Sequence, residues 1–174
     1  MAKEKLEQML YGRPANVFAV LDGASVKGLP MILFEKRPPH YCLFTGELEP
    51  DMAEVAPYLV GLVRGAPFTD WLLSEKPGRH QGIFAATLQS ITEMRRHFRS
   101  LFTVYKEDGD PMLFRFYDPR VTHSYLPTCN PGELKSFFGS IDTLYAEVDD
   151  GSAFAAYSLD GNELKRTEIK LEGD

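Results

Sequence analysis

The chain has 174 residues, 44% of them hydrophobic and 25% charged, and a formal net charge of −6. This length suits one domain and is short for two, and the composition allows a core of useful size. The acidic balance speaks against a general nucleic-acid binder, which needs a basic footprint.

Residues 2–11 carry Leu6, Met9 and Leu10 on one helical face, which predicts a short amphipathic helix. NVFAVLD, 16–22, is a compact apolar run ending at Asp22-Gly23 and reads as a buried strand. A helical segment over 25–36 should stop at Arg37-Pro38-Pro39. Short strands follow at 41–44 and 57–63, the second with Pro57 at its start, where proline costs no ladder bond. A short helix over 68–74 surrounds the single tryptophan, Trp71, and GIFAATL, 82–88, is another apolar strand.

Helix 90–102 has the clearest signature. Ser90 and Glu93 make a capping box, and Ile91, Met94, Phe98, Leu101 and Phe102 share one stripe. Arg95 and Arg99 border that stripe, where they could lie across a neighbouring strand and bury their stems. Two strands, 103–106 and 111–117, joined by the turn Glu107-Asp108-Gly109-Asp110, predict a hairpin. Alternation then puts Leu113, Arg115 and Tyr117 on one face and Met112, Phe114 and Phe116 on the other. Asp118-Pro119 opens a helix as N-cap and first residue. Asn130-Pro131, with Glu133 three residues on, opens another that ends at Gly139. Strands at 141–148, 153–159 and 163–171, separated by Asp149-Asp150-Gly151 and Asp160-Gly161-Asn162, predict a meander. Its exposed edge could accept a partner strand, or be guarded by Lys165, Arg166 and Lys170.

The expected fold is therefore a single α+β (or α/β) domain. A mixed sheet flanked by helices fills residues 1–140, and a C-terminal antiparallel β-meander, 141–174, belongs to the same domain. The N-terminal residues MAKEKLEQML lack an apolar signal region, and no stretch approaches the roughly 20 apolar residues of a membrane span. A soluble, cytoplasmic protein is expected. Cys42 and Cys129 form no CxxC pair, so free thiols are expected and no zinc site or redox dithiol.

Catalytic signatures are lacking. There is no phosphate-binding glycine loop, no HExxH and no GxSxG, and His40, His80, His97 and His123 include no pair at helical spacing. No metal, cofactor or catalytic residue is expected. Glu47 and Glu49, or Asp108 and Asp110, lie in turn-like sequence where acidic residues solvate the backbone. LFRFYDPRV, 113–121, is the densest stretch, with Arg115, Asp118 and Arg120 among three aromatic rings. Asp118 could pair with Arg99, Arg115 or Arg120 and tie the strand end to the 90–102 helix. Alternatively, Arg99, Arg115 and Arg120 could hold an anion, or His97, Asp118 and His123 could form a hydrolytic site.

The ordered series VFAVLDGA (17–24), CLFTGELEP (42–50), APYLVGL (56–62), TDWLL (69–73), GIFAA (82–86), MRRHFRSLFTV (94–104), LFRFYDPRV (113–121) and ELKSFFGSI (133–141) resembles the adaptor/chaperone family of bacterial type VI secretion. That resemblance implies a non-enzymatic cytoplasmic protein. It would bind an effector protein near the effector's N-terminal region and help load it on a VgrG-type spike protein, with no nucleic acid, membrane or cofactor involved. Among the positions that match the family pattern are Asp22, His97, Arg99, Arg115, Tyr117, Asp118, Arg120, Phe137, Phe138 and Gly139. His97, Arg99, Arg115, Tyr117, Asp118, Arg120, Phe137 and Phe138 are thus the candidate partner-binding or motif-network residues.

Overall fold

The computed structural model describes residues 2–75, 77–105, 108–148 and 150–171. Lys106, Glu107 and Asp149, expected at a strand end and in turns, lie outside the described residues. The chain runs α1 (Ala2–Tyr11), β1 (Asn16–Asp22), α2 (Leu29–Lys36), β2 (His40–Cys42), α3 (Pro50–Val55), β3 (Pro57–Leu62), α4 (Pro67–Ser74), β4 (Gly82–Thr87) and α5 (Ile91–Ser100). Then come β5 (Thr103–Tyr105), β6 (Pro111–Leu113), α6 (Pro119–Tyr125), a 3₁₀ turn (Leu126–Thr128), α7 (Pro131–Phe138), β7 (Thr143–Glu147), β8 (Ala153–Asp160) and β9 (Glu163–Lys170).

Seven strands form one sheet in the order β2-β3-β1-β4-β7-β8-β9, and β5 pairs with β6 apart from it. Every pairing is antiparallel. Of the two expected classes the fold is α+β, and the sheet is antiparallel throughout rather than mixed. The meander β7–β9 joins it through β4, with Phe84 opposite Tyr145.

Side-chain alternation along the interior strand β1 builds two cores. Val17, Ala19 and Leu21 of β1 face Leu6 and Leu10 of α1, Leu29 and Leu33 of α2, and Phe68, Leu72 and Leu73 of α4. Phe18 and Val20 face Met94 and Phe98 of α5 and Leu134, Phe137 and Phe138 of α7. Helices therefore cover both faces. That is why β1 reads as a continuous apolar run, a pattern more usual in parallel sheets.

The caps match their sequence signals. Ser90–Glu93 and Asn130–Glu133 are complete capping boxes, and Asp118 accepts the Arg120 amide at the start of α6. Helix α2 begins later than expected, after Gly28 at φ 71°, a left-handed conformation that glycine tolerates. Helix α3 was not expected.

Candidate functional site

The stretch 113–121 leaves its strand early. Strand β6 ends at Leu113, the Phe114 amide still reaches the Phe102 carbonyl at 2.8 Å, and a turn follows in which the Asp118 amide bonds the Arg115 carbonyl. The expected alternation to Tyr117 is thereby overturned. Phe114, Phe116 and Tyr117 are all buried, while Arg115 is not. The physical reason lies downstream. Asp118 must cap α6 and Pro119 has no amide to donate, so the ladder cannot continue. Phe116, fully buried, stacks on Phe98 with ring centroids 5.5 Å apart and meets Phe102 edge-on at 5.3 Å.

The turn aims its charges at two buried carboxylates. Asp22, at the end of β1, accepts Arg115 Nη2 at 2.7 Å, the Ser25 hydroxyl at 3.0 Å and the Ala24 amide at 3.0 Å. Asp118 accepts the Arg120 backbone amide and Nε at 3.0 Å each and Nη2 at 2.8 Å. Of the three arginines that could have paired with Asp118, Arg120 does. Burial opposes the charge on Arg115, but Asp22 and Tyr117 more than offset it and its pKa is raised. Burial also works against the Asp118 charge, yet the Arg120 donors hold its carboxyl below 3.8. Burial pushes the neighbouring Tyr117 phenol up. Asp22 also acts on Arg120, and Arg115 on Asp118, so the four groups form one network at the end of β1.

Arg99 belongs to a different arrangement. Its Nε donates to the Leu43 carbonyl at 3.2 Å, and its Nη2 to those of Cys42 at 2.9 Å and Phe44 at 3.3 Å. Arg95 lies over the Tyr41 ring, 4.6 Å from its centre. Both side chains thus lie across β2 and the residues just after it, as their position beside the apolar stripe suggested. His97 joins α5 to α7 through a 2.8 Å bond from Nε2 to the Phe137 carbonyl. Burial lowers its pKa, and that bond only partly opposes the shift. Phe137 and Phe138 are core residues. Gly139 has φ 53°, and a Cβ there would lie 2.7 Å from His97 Cε1, so the turn ending α7 accepts only glycine without displacing the ring.

The hydrolytic trio is not assembled. His97 serves Phe137, Asp118 serves Arg120, and His123 bonds the Tyr157 hydroxyl at 2.7 Å and the Glu147 carbonyl at 2.8 Å. Glu47 and Glu49 are exposed, as are Asp108 and Asp110, where the Asp108 carboxylate takes the Asp110 amide. Among the described residues no group of three His, Cys, Asp or Glu is placed to hold a metal. One buried carboxylate escaped the sequence. Glu147 of β7 accepts the amides of Gly78 and His80 and lies 3.2 Å from His80 Nδ1, clamping the segment before β4. Those partners are 67 or more residues away, and no spacing rule could have found them.

Compared with known protein families, residues 17–136 match the model of the domain of unknown function DUF4123. The chain belongs to the DUF4123 family. No curated protein and no solved structure matches it. The DUF4123 region runs from β1 into α7 and contains Asp22, His97, Arg99, Arg115, Tyr117, Asp118 and Arg120; Phe137 and Phe138 lie just past its end. The strands β7–β9 lie outside it. Within the DUF4123 region large apolar side chains also stand in solvent: Met31, Phe34, Met52 and Val55 on α2 and α3, and Tyr105, Met112 and Leu113 on the β5–β6 hairpin. Among the described residues no helix is long and apolar enough to cross a membrane.

Proposed function

We propose that this DUF4123 protein is a cytoplasmic adaptor, or chaperone. It binds a type VI secretion effector through the effector's N-terminal region and helps load it on a VgrG-type spike, with no chemical turnover. The observation that carries the reading is an inversion of the usual surface. The charged motif residues Arg115 and Arg120 are taken up by buried carboxylates, while apolar side chains face outward. Helix α2, LPMILFEK, buries Leu29 and Leu33 on one side and leaves Met31 60% and Phe34 71% exposed on the other. A helix apolar on both sides suits a position covered by another chain. Met31 on α2, and Met52 on the neighbouring α3, are adaptable in shape, which suits a protein-binding surface. The ordered motif series along residues 17–141 supports the same reading.

The anion-sensor alternative has less support. Arg115 and Arg120 are engaged by Asp22 and Asp118, and most of the Arg99 donors by backbone carbonyls. The adaptor reading is tested by co-expressing the tagged protein with the effector and spike encoded beside its gene and resolving the eluate by size-exclusion chromatography. A stable complex, with the effector insoluble or scarce when this protein is omitted, is the expected result. Absence of a complex with either neighbour would overturn the reading.

A further inference from the structure

Arg95, Arg96 and Arg99 of α5, with Thr92, line a shallow concavity of about 270 Å³. Among the described residues none of these arginines makes an ion pair, whereas Arg64, Arg79, Arg115, Arg120 and Arg166 each have a carboxylate partner. Two of the three are fixed by groups that leave their charge unneutralised. Arg95 rests on the Tyr41 ring, and its buried Nε has no hydrogen-bond partner. Arg99 uses Nε and Nη2 on the carbonyls of residues 42–44, and its Nη1 has no partner among the described residues. Arg96 is exposed. Its nearest acid in sequence, Glu93, is occupied by the Ser90 capping box.

Like charges one helical turn apart repel, and a buried donor without an acceptor is costly. Within the described residues Glu93, already tied to its cap, acts on Arg96 electrostatically, but no carboxylate pairs with Arg95 or Arg99. A ligand carrying negative charge would relieve the repulsion, which lies at the guanidinium ends open to the concavity. We propose that this concavity binds the carboxylates of an acidic segment of a protein partner. The guanidinium fork matches a carboxylate in two-pronged geometry. Arg95 and Arg99 are one helical turn apart, roughly 5–6 Å, a spacing that carboxylates on successive turns of a partner helix reproduce. The chain's net charge of −6 repels an extended polyanion such as a nucleic acid at long range, while a short acidic segment needs only the local field of α5. The inference rests on the adaptor reading for the source of that segment only, not for its chemistry.

The test follows the arginine Nε–H signals of the full chain by nitrogen-15 NMR. Blocked tetraglutamate is titrated in, with inorganic phosphate and tetralysine as comparisons. The Arg95 and Arg99 signals should shift saturably with tetraglutamate and not with tetralysine. Arg96→Glu, at an exposed position, should leave melting unchanged and weaken tetraglutamate about tenfold or more. Silence of both signals, an unweakened Arg96→Glu variant, or equal shifts with inorganic phosphate would each overturn the proposal, the last by making this a simple anion site. Effector capture is read separately. Tetraglutamate binding without capture sinks the adaptor reading and leaves the concavity standing; capture with tetraglutamate silent does the reverse.

Discussion

Arg115 and Arg120 lie against carboxylates, whereas Arg95, Arg96 and Arg99 lie against a tyrosine ring, three carbonyls and solvent. The two sets belong to neighbouring parts of one core, since Phe98 of α5 stacks on Phe116 between Arg115 and Arg120. What separates them is whether the fold supplies an acid. The RFYDPR stretch carries Asp118 and reaches Asp22, so its charges are consumed in closing the turn onto β1. The MRRHFR stretch carries none, and the only acid of α5 caps its first turn. The arginines of the first set are therefore neutralised within the fold, whereas those of the second keep their charge even where Arg99 ties down residues 42–44.

That contrast can be broken by removing arginines from each side. The largest effect should come from Arg115→Ala, which strands the Asp22 carboxylate, itself only 3% exposed, while Arg115 is 45% exposed. Allowing for that exposure and for the two remaining donors to Asp22, the loss should be about 3 kcal/mol in urea unfolding. A loss no greater than that of an ordinary surface change would remove the scaffold half of the comparison.

Next comes Arg99→Met, which keeps the apolar stem and deletes the ties to residues 42–44; about 2 kcal/mol should be lost. Equal stability would mean that β2 is held by its pairing with β3 alone.

Acid should then separate the two regions. Burial puts the His97 pKa below 6.5, so the neutral ring is the folded form. Its contribution is complete above pH 6.5 and is lost as pH falls below that value. Asp118 is held below 3.8, so its contribution survives until pH drops through that lower range. Melting temperature against pH should show an early decline that His97→Gln abolishes and a later one that it leaves in place. An early decline unchanged in the variant would place its origin elsewhere.

The smallest effect is expected from Arg96→Gln, within about 0.5 kcal/mol of the parent. A substantial loss in melting would show that α5 depends on this charge for its fold, as the 113–121 turn depends on Arg115.

Much of this was legible in local sequence. The caps at Ser90, Asp118 and Asn130 and the apolar runs of β1 and β4 gave their elements because cap chemistry and periodicity act over a few residues. Helix α3 gives no signal, because six residues beginning at Pro50 are too short for a period to emerge. Alternation alone carries a strand to Tyr117, but Asp118-Pro119 forces a turn and β6 ends at Leu113. The direction of the sheet could not be read, since β1 is covered on both faces and its apolar run looks the same in either arrangement. The Asp22–Arg115 pair, 93 residues apart, and the carbonyl acceptors of Arg99 leave no trace in sequence. The first depends on topology, and the second uses backbone that every residue possesses.

The order of the sheet also fixes how the molecule would yield to force. Among the described residues β9 shares a ladder only with β8, and the meander extends outward from β4, whereas β1 is clasped between β3 and β4. A load applied beyond β9 would unzip β9, β8 and β7 in turn, opening a few hydrogen bonds at a time. A load on β1 would have to shear two ladders at once. Resistance to forced unfolding follows the barrier along the path taken rather than overall stability. The DUF4123 region would therefore outlast the three strands beyond it, and the direction of the pull would decide which part of the molecule is surrendered first.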